Sequence, residues 1–225
     1  MAPYVAALND ARVYALDLPL LSPFHWLNDN LVTFYAVAIM DTCQHPPSLI
    51  DPSVGSFMMH QLDPDDEDYE SECATFLKNV DNDIVVLCNS SFASSTAQFQ
   101  KVDSGVHWSL LHMTITASSG SRTVTATHHD SSPSFQNTLA ATAFVTKFTH
   151  VLATATPHLP FPSSTFRNAP THKQTDGWSC GWFTLEFLTN LLRPGETPDE
   201  TPYDVNEQNA NTKKLFNTFL ETHSI

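Results

Sequence analysis

Three features of the sequence predict an α+β domain with a sheet at its core and helices around it. Residues 83–89, DIVVLCN, form a short β-branched apolar run of the kind a buried strand needs. Residues 106–116, VHWSLLHMTIT, and 121–129, SRTVTATHH, read as two paired strands joined around Ser118-Ser119-Gly120. Apolar residues at helical spacing before and after this block supply the helices.

Each element has a local cause. Asn28-Asp29-Asn30 offers a helix start, and Leu31, Phe34, Tyr35, Ala38 and Ile39 then recur on one face, which predicts a buried helix over 28–41. Asp51-Pro52 pairs a capping carboxylate with proline at the first helical position and predicts a short helix over 52–61. The stretch DPDDEDYESE, 63–72, carries seven acidic side chains, whose mutual repulsion predicts a solvated loop running into a helix at 69–79. A further helix is expected from about Asn137 to Thr154, followed by a connection containing Pro157, Pro160 and Pro162 and a strand near Thr165–Ala169. Cys180 opens an apolar helix carrying Phe183, Leu185, Phe187, Leu188, Leu191 and Leu192, which Arg193-Pro194-Gly195 ends. A last amphipathic helix is expected over 206–222, and Ser/Thr-rich pieces such as SSFASSTAQ read as surface loops.

With 225 residues, 41% of them hydrophobic and no internal repeat, the chain is expected to form a single domain over 1–225 with a substantial core. Ten Lys and Arg against 24 Asp and Glu give a formal net charge of −14. That balance argues against nucleic acid as a partner, because counterion release needs clustered basic side chains. The acidity would suit a basic partner surface, but its commoner role is to keep a protein in solution, and a monomer is expected. The four cysteines, Cys43, Cys73, Cys88 and Cys180, contain no CxxC pair, and a chain of this size needs no disulfide framework. A reducing cytoplasmic or nuclear compartment is expected. The N-terminus MAPYVAALND has no basic region followed by a long apolar run, and no apolar stretch approaches the length of a membrane span, so neither secretion nor membrane insertion is expected.

The chemistry lies in an ordered set: His107-Trp108, Asp130, Gln174 and Cys180-Gly181. A thiol attacks a carbonyl well only as thiolate, so it needs a base, a group to orient that base, and donors for the oxyanion. His107 opens one strand and Asp130 ends the next, so hairpin pairing permits a base and its carboxylate to sit side by side. Cys180 at a helix start would have its thiolate favoured by unpaired N–H groups and the positive end of the macrodipole. Taken singly each residue has a plainer reading. A lone cysteine is usually a small buried apolar residue, a strand-end histidine is commonly surface polar, and Asp130-Ser131-Ser132-Pro133 is also a turn sequence. His112, His128 and His129 beside Asp130 raise a metal site, against which strand alternation sends His128 and His129 to opposite faces. Cys43, Cys73 and Cys88 read as structural.

Four motifs in order carry a resemblance that covers about Asp17 to Leu192: Trp26-Leu27-Asn28-Asp29 opening the first buried helix, HWSLL at 107–111, His128-His129-Asp130-Ser131, and QTDGWSCG at 174–181. In these the chain resembles the ubiquitin-like-protein proteases, the sentrin-specific cysteine peptidases, and in LLSPFHWLND, HWSLLH and its compact length it is most like the deneddylase branch. The resemblance implies a papain-like α+β fold, a central mixed sheet flanked by helices with the nucleophile at a helix N-terminus. It implies Cys180 as nucleophile, His107 as general base and then acid, Asp130 as its orienter, and Gln174 sharing the oxyanion hole with the Cys180 amide. Trp26 and Trp108 would form a narrow aromatic channel, since two flat rings admit backbone but not side chains. Asp29 would cap its helix or bind an arginine of the incoming tail. The implied reaction is cleavage after the C-terminal Gly-Gly of a ubiquitin-like modifier, in precursor processing or release from a lysine, without metal or organic cofactor. The neddylation modifier is the first choice, with SUMO or ubiquitin as alternatives. An acetyltransferase on the same fold and an inactive modifier-binding module are the other readings. The chain departs from the family pattern at Ser179, usually aspartate, and at His129, usually another aromatic. Neither touches a proposed catalytic group, so activity is expected to survive both departures while local hydrogen bonding changes.

Overall fold

The β-branched run Asp83–Asn89 is the second strand of a five-stranded mixed sheet in the computed structural model of the chain. The structure describes residues 4–22, 24–93, 107–118, 120–193 and 218, and these fall into two compact units: Met1–Pro46 with His172–Ile225, and Pro47–Thr171.

The unit Pro47–Thr171 holds the sheet, whose strands are β3 (Ser48–Ile50), β4 (Asp83–Asn89), β5 (Trp108–Ser118), β6 (Ser121–His129) and β7 (Ser163–Asn168), in that spatial order. The expected hairpin is the antiparallel β5–β6 pair, β4 runs antiparallel to β5, and the outer strands β3 and β7 pair in parallel with β4 and β6. Burial on both faces of β4 explains its unbroken apolar run. Ile84, Val86 and Cys88 enter one cluster, and Val85 and Leu87, pointing the other way, are also fully buried.

The helices of this unit are α2 (Pro52–His60), α3 (Tyr69–Leu77) and α4 (Thr138–Thr154). Asp51 caps α2 as its sequence predicts, accepting from the Ser53 and Val54 amides at 2.8 and 2.9 Å. The apolar face of α4 brings Ala140, Ala141, Phe144, Val145, Phe148 and Val151 into the cluster with Leu111, Met113, Val124 and Ala126 of the sheet. Phe92, Phe144 and Phe148 stack in series, and burying each ring contributes roughly 1.5–3 kcal/mol. Gly55 lets α2 approach this stack, since a Cβ there would come within 2.4 Å of the Phe92 ring. The acidic residues Asp63, Asp65, Asp66, Glu67 and Asp68 are exposed, as their mutual repulsion requires.

The other unit contains a hairpin, β1 (Tyr4–Leu8) and β2 (Ala11–Tyr14), and the helices α1 (Asp29–Met40) and α5 (Cys180–Leu192). The hairpin packs on α1, and α1 packs on α5, with the Tyr35 and Trp182 rings 5.5 Å apart. Asn28 caps α1 by accepting from the Leu31 amide at 3.1 Å. Residues 4–14 show no periodicity strong enough to predict an element, because strands of five and four residues joined at Asn9-Asp10 give alternation too little length. β3, three residues long, escapes for the same reason. The helix expected over 206–222 lies outside the described residues. Among those described, no helix is long and apolar enough to cross a membrane.

Candidate active site

Each unit carries part of the candidate catalytic set. Cys180 is the first residue of α5 and is buried. The turn before it is built on Asp176, whose Oδ1 accepts from the backbone N–H groups of Trp178 and Ser179 at 2.9 and 2.8 Å. Ser179 occupies the N-cap position with no side-chain cap bond. It is buried, and its Oγ has no hydrogen-bond partner among the described residues. Local hydrogen bonding at this departure from the family pattern is therefore carried by Asp176. The Gln174 side-chain amide donates to the Asp176 carbonyl at 2.8 Å, which fixes that side chain to the same turn. Gly181 follows the cysteine because there is no room for more: a Cβ there would lie 3.0 Å from Leu27 Cβ.

The segment leading into α1 is tied to this turn. The Trp26 indole N–H donates to the Gly177 carbonyl, and the Phe24 ring meets Trp178 edge-on with centroids 5.6 Å apart. Phe24 has φ +68°, uncommon for a bulky residue, and its side chain is largely exposed, while Trp26 is about half exposed. Buried Asp17 holds the entry to α1, its carboxylate accepting from Asn28 Nδ2, Asn30 Nδ2 and the Tyr14 amide. Asp29 is the first residue of α1, where a carboxylate suits the positive end of the helix.

In the Pro47–Thr171 unit the expected dyad is formed. His107 Nε2 lies 2.6 Å from Asp130 Oδ1, and both side chains are buried. Antiparallel register sets Leu110 opposite His129 and Leu111 opposite His128, which brings the residues just before β5 beside those just after β6. Asp130 Oδ1 also accepts from the Ser132 amide at 2.7 Å, and Oδ2 accepts from the Asn137 amide at 3.1 Å. Burial by itself raises the Asp130 carboxyl; the bond from His107 and the two backbone N–H groups outweigh it and hold the carboxyl below its usual range. Trp108, the first residue of β5, is buried.

The two neighbouring histidines part as alternation predicts. His128 is fully buried, bonded through Nδ1 to Asn168 and through Nε2 to Ser109. His129 is pushed down to about 4, first by burial and then by His112, His128 and Arg167. It is neutral at pH 7, so a flat uncharged ring stands where the family has another aromatic. Among the described residues no group of three or more His, Cys, Asp or Glu side chains could hold a metal ion. All four cysteines are free; burial pushes the Cys88 thiol up to about 12 and raises that of Cys73, so both remain uncharged, as structural thiols do.

Sequence reasoning missed Asp17, Ser109, Ser132, Asp176 and Asn137 as supporting residues. Ser109 and Asp176 lie inside recognised motifs, and Asn137 marks a helix start, but their partners depend on folding. Asn137 bonds to residues 28 to 49 positions away.

No family model matches the chain. A probable sentrin-specific protease 8 of Dictyostelium discoideum is 26% identical over 209 residues, 85% of this chain and 76% of the relative. The human sentrin-specific protease 8 is 31% identical over 117 residues, 49% of this chain and 50% of that protein. Among solved structures, a de-sumoylating protease matches with a TM-score of 0.63 at 17% identity, over 97% of this chain and 91% of that one. The Ulp1 protease domain in complex with the yeast orthologue of SUMO matches with a TM-score of 0.63 at 13% identity, over 98% and 88%. The mixed sheet flanked by helices gives the chain the α+β fold of these proteases, and Cys180 stands at a helix start within it. In sequence the chain is similar to sentrin-specific proteases, along most of its length to the Dictyostelium protein and over about half of it to the human one.

Proposed function

We propose that this peptidase hydrolyses the bond after the C-terminal Gly-Gly of a ubiquitin-like modifier, in precursor maturation or in release from a substrate lysine. The buried His107–Asp130 pair carries the reading. Asp130 occupies Nε2, so Nδ1 is the nitrogen that exchanges a proton with the nucleophile. Cys180 attacks the glycine carbonyl as thiolate, favoured by its place at the α5 N-terminus. Gln174 and the Cys180 amide hold the oxyanion, His107 protonates the leaving amine, and water then cleaves the thioester with His107 as base. In this reading Trp26 and Trp108 line the channel that admits a diglycine tail and excludes side chains, and Asp29 receives a basic residue of the tail. No step calls for a metal or an organic cofactor.

The neddylation modifier is the proposed substrate, supported by LLSPFHWLND and HWSLLH. A second reading, SUMO, is favoured by the solved neighbours described as de-sumoylating and SUMO proteases. Relative kcat/KM on a panel of modifier–aminocoumarin conjugates separates them. Preference for the neddylation modifier supports the first, preference for SUMO the second, and hydrolysis of neither contradicts both. A reducing cytoplasmic or nuclear setting and a monomeric state belong to the same proposal and suit the free thiols.

A further inference from the structure

Asn137 stands at the N-cap of α4, yet its side chain makes no cap bond. It is fully buried and turns its amide toward the dyad. Nδ2 lies 3.0 Å from the His107 carbonyl, 3.0 Å from Ser109 Oγ and 3.2 Å from the Cys88 carbonyl. The backbone N–H of the same residue donates to Asp130 Oδ2. One residue thus grips both halves of the dyad, the carboxylate through its main chain and the strand end carrying the imidazole through its side chain. Oδ1 is buried and has no hydrogen-bond partner among the described residues, so the position is held for its donors, at the expense of its acceptor. Ser109 in turn meets His128 Nε2, and His128 Nδ1 meets Asn168. The polar chain running from Asn168 to the His107 backbone needs a donor amide at its end.

We propose that Asn137 is a positioning residue of the peptidase reaction: its side-chain amide fixes the His107 backbone so that the imidazole stays in register with the Asp130 carboxylate, which its own main-chain N–H holds. The inference rests on the reading of His107 and Asp130 as base and orienter. Removing the amide frees the start of β5 while leaving the grip on Asp130, and the short His107–Asp130 bond lengthens. The imidazolium is then less well held, and it gives up its proton at lower pH.

The test is Asn137→Ala in the full chain, with kcat and KM measured per active site titrated by a covalent thiol probe. The expected result is a fall in kcat of about 10- to 100-fold, as for an ångström-scale misplacement, with KM unchanged and the alkaline limb of the kcat/KM profile moved to lower pH. A merely structural role lowers the titrated fraction and leaves the profile in place, and that result, or an unchanged kcat, overturns the inference. Where N137A does not fold, N137D keeps the volume and the main-chain grip but loses the donors. It is expected to show the same loss of kcat, and full kcat in that variant overturns the inference. His107→Ala separates the two levels. If H107A still turns over, the dyad reading fails; if H107A is inactive while N137A keeps its kcat and profile, the positioning role alone fails.

Discussion

His107 Nε2 and Asp130 Oδ1 lie 2.6 Å apart with both side chains buried. Each carboxylate oxygen also accepts from a backbone amide, Oδ1 from Ser132 and Oδ2 from Asn137, so its orientation is fixed without the histidine. A carboxylate held from three sides keeps the imidazole in one tautomer, which is what the proposed roles of Asp130 as orienter and His107 as base require.

Asp130→Asn tests that role at nearly constant volume. An amide offers its oxygen to one side only: either its NH₂ faces the Asn137 N–H, two donors opposed, or it faces His107 Nε2 and imposes the other tautomer. The expected result is a fall in kcat of about 10²- to 10⁴-fold with KM little changed, read by steady-state kinetics.

His129 gives the fold a pH dependence. Its pKa is about 4 in the folded protein, against an ordinary 6.5. Between those values the unfolded chain binds more protons, so the contribution is complete above pH 6.5 and is lost as pH falls toward 4. His129→Phe supplies an aromatic that cannot charge. Denaturant unfolding of the unit's signal from pH 7 to 4 is expected to show a shallower loss of stability in the variant than in the parent.

Gly181 is expected to resist enlargement. A methyl group there meets Leu27 Cβ at 3.0 Å and the rest of that side chain at 3.2 Å, and Leu27 is itself buried. Gly181→Ala is expected to cost about 1–3 kcal/mol of stability, as overpacking does. A double-mutant cycle with Leu27→Ala should recover part of it, since the pair is in contact.

Elements with local causes were legible in the sequence: the Asn28 and Asp51 caps, the Pro52 start and the β5–β6 alternation all appear where the chain places them. The dyad was legible because hairpin register is a local rule. The shell behind it was not. Asp17, Ser109 and Asn137 are ordinary polar residues whose partners come together only after folding, and no period or spacing marks them. The β1–β2 hairpin and β3 failed for lack of length. At Ser179 the sequence signalled a departure, but that Asp176 takes over the turn's amides needed coordinates.

Covalent capture tests the proposal that Cys180 is the nucleophile toward a diglycine tail. The protein is incubated separately with the neddylation modifier, SUMO and ubiquitin, each carrying a C-terminal vinyl sulfone, and the adduct is mapped by peptide mass spectrometry. The expected result is one modifier per chain attached to Cys180, and no adduct with Cys180→Ala. An unmodified Cys180 with all three probes, or attachment at another residue that persists in the Cys180→Ala variant, would contradict it.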